Sequence, residues 1–522
     1  MSTHRSVIKS AGIIGLGTLT SRILGFIRDV VIARLFGVYS YAQAFVIAFK
    51  IPNLFRDFVG EGAANAALVP VFSEYRQKHS KEEFWELANI VLNLFLVILA
   101  VIVLLGVILA PLVVRMIAPG FIEDPEKLAI TIKLTRIIFP YLLLVCLAAY
   151  CTALLNSLKH FAVPAFAPCL LNVSVIIFVL LFNSGIRGLA TGILVGGFLQ
   201  LGAQIPVLYK KGFRLRFLWR FKHPAARLIR RLMLPRLLSS SIYQVNNFVD
   251  SIFGSLARIV GEGGVAGLYF AYRIILFPLG IFTHSLSQAL LPTLSAQALL
   301  ETHDKLNQSL SFGLRMTSFV ILPASVALMV LSGPIISAIF QGGMFDSYSA
   351  MVTSRILFFY SFGMIAYAQK RILQSCFFAL KDTWTPAKIA FIALVLNVAF
   401  NALLMFPLKI AGIALGTSIS GLISCTILFV ILKKKIRFSS AGEVYISFIR
   451  ILAASASMGF VCYFISRAIY SAQGPTYLRL VSLGVIVILG LFSYIVFCLL
   501  FGVRELRQLW GWIKKREIPH ED

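Results

Sequence analysis

The sequence predicts an all-α polytopic membrane protein with fourteen transmembrane helices: two pseudo-twofold-related six-helix lobes followed by two C-terminal helices. Three observations carry this. Of 522 residues, 59% are hydrophobic and only 13% charged, and the apolar runs repeatedly reach the roughly 20 residues that cross a bilayer. The basic residues gather in every second connection between those runs. Finally, a set of short strings recurs in the same order at a nearly constant offset.

In chain order, the apolar pattern predicts helices over 8–36, 41–74, 83–115, 127–156, 162–183, 187–210, 225–260, 264–299, 305–340, 348–379, 386–406, 410–434, 443–470 and 478–512. The first run holds Arg22 and Arg28 and lacks a small-x-small cleavage site, so no cleavable signal is expected there. Arg76, Lys78 and Lys81 follow the second helix, Lys159 and His160 the fourth, Lys210 to Arg236 the sixth, Lys433 to Arg437 the twelfth and Lys514 to Arg516 the last. Opposite connections are short or acidic, as at Glu123, Asp124 and Glu126. The positive-inside rule then puts both termini in the cytoplasm. This distribution also explains the formal net charge of +27 without nucleic acid, which is not an expected partner. The seven cysteines sit in or beside apolar runs without a CxxC pair and are read as small membrane-core residues.

The repeat divides the chain. LKHFAVP (Leu158 to Pro164) matches LKDTWTP (Leu380 to Pro386) at an offset of 222. IRGLATG (Ile186 to Gly192) matches IAGIALG (Ile410 to Gly416) at 224, and Gly197 matches Gly421. ALVPVFS at Ala67 matches ALLPTLS at Ala289, AFKI at Ala48 matches AYRI at Ala271, and Asp29 precedes Asp250 by 221. The expected parts are an N-lobe over 1–210, a basic linker over 211–236, a C-lobe over 237–437, and two helices with a basic tail over 438–522. Six helices per copy give both copies the same orientation, which implies an axis along the membrane normal, a central cavity and alternating access. The linker, with Leu, Phe and Trp among its cations, reads either as an amphipathic segment on anionic headgroups or as a plain cytoplasmic loop. For the last two helices, a lipid-facing groove and an accessory pair are both open.

The chemistry concentrates between Ser21 and Tyr75. Arg22, Arg28, Asp29, Arg34, Lys50, Arg56, Asp57 and Glu61 fall within membrane-length apolar segments, which a bilayer core tolerates only if they face protein or water. Cations outnumbering carboxylates there suit an anionic ligand in a polar cavity. SRILGFIRD (Ser21 to Asp29), AFKIPNLFR (Ala48 to Arg56), GEGAANAALVPVFSEY (Gly60 to Tyr75) and VPAFAPCLLN (Val163 to Asn172) resemble the MurJ (MviN) lipid II flippases of the multidrug/oligosaccharidyl-lipid/polysaccharide (MOP) exporter superfamily, over essentially the whole chain. The resemblance implies moving the undecaprenyl-diphosphate-linked peptidoglycan precursor, lipid II, across the bacterial cytoplasmic (inner) membrane for cell wall biogenesis. Proteins of cell-wall synthesis are further partners of this context. A charged, sugar-bearing head needs a polar enclosure while its tail stays in lipid, and the arginine fork pairs well with a diphosphate.

By resemblance, Arg22, Arg28, Arg56 and Arg273 match the family's cavity arginines. The plainer reading for each is an internal ion pair or a side chain reaching the headgroups. Gly25 is a candidate bend; Asp29 and Glu61 are candidate orienting or gating residues. Arg34 and Lys50 read as interface or ion-pair residues. Gln43, Tyr272 and Leu276 stand where relatives can place carboxylates, which implies a more positive cavity. Asp250, Asn397, Asn401 and Thr417 read either as a monovalent cation site for Na+ or as interhelical hydrogen bonding. No other metal or cofactor is expected. Membrane potential, worth about 2.3 kcal/mol per charge per 100 mV, is the expected driving force, with sodium its competitor.

Other classes fit less well. A lipid-linked glycosyltransferase needs paired loop carboxylates, and only Glu301 and Asp304 approach that. GEGG at Gly261 lacks the ending of a phosphate-binding loop. An ion-coupled multidrug or other polyprenyl-linked oligosaccharide exporter of the same fold is the rival, but a cationic-drug cavity should be acidic or apolar.

Overall fold

The computed structural model describes residues 2–56, 65–181, 186–218, 224, 228–229, 245–246, 248–300, 302–508 and 511. Side chains are described from residue 12, except those of 55–56, 65–67 and 186. The described chain is helical, with a single β-bridge between Gly342 and Phe345.

We number the helices by the fourteen spans that the sequence predicts. α1 is Ser2–Phe36. α2 runs Ser40–Arg56 and Asn65–Lys78, and α3 runs Lys81–Ile108 and Ala110–Ile117. α4 runs Pro125–Ile138 and Tyr141–Ser157, α5 Ala162–Leu181, and α6 Ile186–Gly202 and Ile205–Lys210. α7 is described over 248–254 and Ala257–Val260, and α8 is Gly264–Gln297. α9 runs Asp304–Val330 and Ser332–Ile339. The last five are α10 (Ser347–Ala379), α11 (Trp384–Leu408), α12 (Ile410–Lys435), α13 (Ala441–Ile469) and α14 (Thr476–Leu500). Among the described residues, eleven of these spans are long and apolar enough to cross a membrane. The others are α1, which carries the charges noted above, and α2 and α7, of which only parts are described.

Local chemistry sets the ends. Ser80 and Glu83 form a reciprocal capping box at the start of α3. Asp124 caps α4 ahead of Pro125, and Asp346 caps α10. Lys433, Lys434 and Lys435 complement the carbonyl end of α12. The predicted span 478–512 is too long: α14 stops at Leu500. Gly502, at φ +65, turns the chain there. Its N–H and that of Val503 bond back to the carbonyls of Leu499 and Cys498, which closes the helix.

The chain forms two compact units, Met1–Arg258 and Ile259–Asp522. Each has a core built from the same repeat positions. Leu68, Phe72, Phe84, Tyr150 and Leu155 lie in the core of the first unit. Leu290, Leu294, Leu306, Ile372 and Phe377, each 222 positions later (290 − 68 = 222), lie in that of the second. The units divide within α7, so its residues up to 258 group with the first unit.

α13 and α14 are fastened to α9 at both ends. Arg479 is buried and donates to Ser337 O at 2.9 Å and Gln341 Oε1 at 3.3 Å, while Tyr470 Oη donates to Pro334 O and meets Ser337. At the far end, buried Glu505 accepts from Ser447 at 2.9 Å and pairs with Arg315 at 3.5 Å. Between these anchors the pair exposes apolar side chains such as Phe460, Phe464, Ile488 and Phe492.

Candidate functional site

In the first unit, α1 carries Arg22, Gly25, Arg28 and Asp29. Six helical residues turn the chain through about 600°, so Arg22 and Arg28 point roughly 120° apart. Arg22 is exposed, whereas Arg28 is 6% and Asp29 1% exposed. Arg28 Nε and Nη2 donate to Asp29 Oδ1 at 3.1 and 2.7 Å, and Nη1 donates to Asn172 Oδ1 of α5 at 3.1 Å. The guanidinium lies 5.5 Å from the ring centroid of Phe49 on α2. Asn172 in turn donates to Ser21 O at 3.1 Å, so one amide ties α5 to two points on α1. Neighbouring side chains on a helix diverge by about 100°, but the arginine chain is long enough to reach back. Asp29 therefore pairs with Arg28 itself. Helical structure is continuous through Gly25, and a Cβ there would meet the Asn172 amide at an ordinary 3.6 Å. α1 is thus unbroken at Gly25 in this structure.

The Arg56 side chain lies outside the described residues, as do Asp57, Glu61 and the Gly60–Ala63 string. Lys50, half-buried on α2, donates to Ser251 Oγ of α7 at 2.5 Å and lies 5.7 Å from the ring centroid of Phe248. Asp250 of α7 attracts it electrostatically. Lys50 is an interface residue, with α7 as its neighbour.

In the second unit, Arg273 of α8 donates through Nη2 to Tyr269 Oη at 2.7 Å and sits 4.7 Å from the same ring's centroid. One tyrosine thus holds the guanidinium by both edge and face. Lys370 and Arg371 lie in mid-α10. Lys370 Nζ donates to Ser424 Oγ of α12 at 3.4 Å, and Arg371 Nε to Ser287 Oγ of α8 at 3.3 Å. Sequence reasoning missed this Lys-Arg pair, although its signal, adjacent cations inside a 33-residue apolar helix that also carries Arg355, is the one that singled out α1. Asn172, an uncharged residue on an apolar helix, gave no comparable signal.

Asn397, Asn401 and Thr417 come together at the α11–α12 contact. Asn397 Nδ2 donates to Thr417 Oγ1 at 2.9 Å, Asn401 Nδ2 to Asn397 Oδ1 at 3.2 Å, and Thr417 Oγ1 to Ile413 O at 2.9 Å. This is an interhelical hydrogen-bond chain, with two of its oxygens already accepting from neighbours. The chain supplies no carboxylate; Asp250 belongs to the other unit. No group of three His, Cys, Asp or Glu able to hold a metal occurs among the described residues.

A family profile described as Lipid II flippase MurJ matches residues 32–483. Among curated proteins, a probable lipid II flippase MurJ of Buchnera aphidicola subsp. Schizaphis graminum is 32% identical over 96% of this chain and 98% of its own length. One from Vibrio cholerae is 31% identical over 97% and 98%. A solved structure of lipid II flippase MurJ in an inward closed conformation superposes with a TM-score of 0.78 at 28% identity, covering 94% of this chain and 99% of that one. An inward-facing multidrug resistance MATE transporter of the MOP superfamily shares the fold at TM-score 0.65 and 17% identity, over 80% of this chain and 94% of that one. The chain belongs to the MurJ lipid II flippase family.

Proposed function

We propose that this protein moves lipid II from the cytoplasmic to the outer leaflet of the bacterial cytoplasmic membrane by alternating access. In this reading both termini are cytoplasmic, and Arg22, Arg28, Arg56 and Arg273 meet the diphosphate in a cationic cavity. The observation that carries it is the set of cations inside the predicted membrane helices, among them Arg28, Lys50, Arg273, Lys370 and Arg371, in a chain of this family. Charges at such depth cost several kcal/mol each unless they serve a polar path, and guanidinium groups suit a diphosphate. A multidrug exporter of the same fold would favour an acidic or apolar cavity. Membrane potential is the proposed energy source, because a net positive site responds to the field.

The test is binding of lipid II to the purified protein in lipid, comparing the native chain with Arg28→Ala and Arg273→Ala, with an uncharged-head polyprenyl lipid as control. Selective binding of lipid II, weakened in both variants while folding is retained, is expected. Equal binding by all three proteins would return these arginines to structural roles and the multidrug reading to contention.

A further inference from the structure

A second basic site lies at the helix ends, among the connections between spans. Three connections, α2–α3, α4–α5 and α6–α7, are each separated by two spans and so emerge on one face of the membrane, the one that the basic loops assign to the cytoplasm. They meet around a cavity of about 330 Å³ lined by Arg76, Ser80, Lys81, Phe84, Trp85, Leu158 and Lys211. Arg76, Lys81 and Lys211 are exposed cations, and the lining includes no carboxylate. Glu83, one turn along α3, accepts from the Ser80 backbone N–H and pairs with His79.

The walls are fixed. Arg76 Nη1 donates to Ser157 O at the end of α4. Gly212, at φ +101, lets the N–H groups of Gly212 and Phe213 bond back to Tyr209 and Leu208, which turns the chain sharply after α6. Residues 213–218 then run non-helically along α3. Asn89 Nδ2 donates to Arg214 O at 3.0 Å, Arg216 N donates to Asn89 Oδ1 at 2.7 Å, and Asn93 Nδ2 donates to Arg216 O at 2.9 Å. Phe213 is buried with its ring 5.7 Å from Trp85. Lys211 is thus held at the rim, and the first part of the basic linker is a strap, not a free loop. At the wall, the Trp85 indole nitrogen is buried and donates to no acceptor among the described residues. A buried donor of this kind is costly unless a ligand completes it.

We propose that this cavity binds the phosphate headgroup of an anionic phospholipid of the same leaflet, Lys81 and Lys211 supplying charge and Trp85 Nε1 the directed hydrogen bond. A lipid is favoured over a soluble anion by what surrounds the site. α3, which begins at Lys81, is a strongly apolar span, so its first turn lies at headgroup depth. On the strap, Leu215 and Phe217, 49% and 71% exposed, alternate with the exposed Arg214 and Arg216, a pattern suited to the interface.

The test is calorimetric titration of the detergent-purified full chain with short-chain phosphatidylglycerol, short-chain phosphatidylcholine and inorganic phosphate. Saturable binding of phosphatidylglycerol is expected, at least tenfold tighter than of either control. In Lys81→Gln/Lys211→Gln it should weaken ~30-fold, as two lost interfacial cations imply, whereas Lys81→Arg/Lys211→Arg should stay within a few-fold. Trp85→Phe, which keeps the ring and removes the donor, should weaken it severalfold at unchanged thermal stability. Equal affinity in the native chain and the double glutamine variant would overturn the site. Phosphate binding as tightly as phosphatidylglycerol would overturn its assignment to a lipid.

Discussion

Replacing Asp29 by Asn tests whether the α1 charges are a preformed internal pair or a ligand site held in reserve. Asp29 is 1% exposed and accepts two hydrogen bonds from an Arg28 that is itself 6% exposed. The amide keeps the shape and one acceptor but removes the charge, leaving a buried guanidinium opposite a neutral group. Breaking a buried pair from one side costs about 3–5 kcal/mol. If the 258-residue first unit unfolds as one body, at about 2 °C per kcal/mol, the midpoint should fall by roughly 6–10 °C. Removing the cation as well, in Arg28→Gln/Asp29→Asn, should recover part of that loss, because two neutral groups of similar shape can share the same geometry with Asn172. Pyrophosphate binding should move the other way: tighter in Asp29→Asn, where Arg28 lacks its competitor, and weaker in the double variant. The assays are thermal unfolding in detergent and equilibrium binding of pyrophosphate. A single variant within about 0.5 kcal/mol of the native chain, or a double variant less stable than the single, would refute the pairing argument.

Three further outcomes follow from the second unit. A Cβ at Gly416 would lie 2.4 Å from Asn401 Oδ1 and 3.0 Å from Asn401 N, so Gly416→Ala should force α11 and α12 apart and cost about 1–3 kcal/mol; an unchanged unfolding midpoint would contradict this. Asp382, between α10 and α11, has its carboxyl held down to about 2, chiefly by Lys435 donating at 2.5 Å and then by the Thr385 N–H and hydroxyl. The folded value is below the unfolded value of about 3.9, so its stabilisation is present above about pH 4 and lost as pH falls towards 2. With Lys435 41% exposed, the pair is worth no more than about 1 kcal/mol. Asp382→Asn should show that loss at pH 7 and little difference from the native chain near pH 2 in melts across pH. Replacing sodium by choline at fixed membrane potential should leave flipping in vesicles unchanged, as the hydrogen-bonded Asn397–Asn401–Thr417 chain implies; a strong sodium requirement would favour the cation reading.

The repeat was legible because it is written in residues whose conformation matters. Leu158-Lys159 and Leu380-Lys381 look like coincidental dipeptides in isolation. Lys159 and Lys381, however, take the left-handed conformation at φ 57 and 58. Each is followed by a residue whose N–H reaches five positions back, His160 to Leu155 and Asp382 to Phe377. The two strings encode one helix stop used twice. Gly192 and Gly416 likewise mark close approaches, of α6 to Val175 on α5 and of α12 to Asn401 on α11. The end of α14 was misread because the apolar and basic pattern continues past Gly502, and a single glycine outweighs it only when its positive φ is known. The strap at 213–218 was hidden for a related reason: its fastening comes from Asn89 and Asn93, more than 120 residues earlier.

Counting charge is not the same as locating it. Composition counts Arg28 and Lys370 alike, as one cation each within an apolar helix. Geometry separates them. Arg28 is matched at 2.7 Å by the carboxylate next to it in sequence, so the pair adds little net field and an incoming phosphate must displace Asp29 before gaining the whole guanidinium. Lys370 meets the hydroxyl of Ser424 at 3.4 Å, a long contact that offsets little of the cost of holding an ammonium within α10. An anion brought to each would meet a different cost: at Arg28 it would exchange partners with Asp29, at Lys370 it would add one. An adjacent carboxylate in the sequence is visible without a structure, but whether it faces its neighbour depends on what the next helix, here Asn172 of α5, leaves room for.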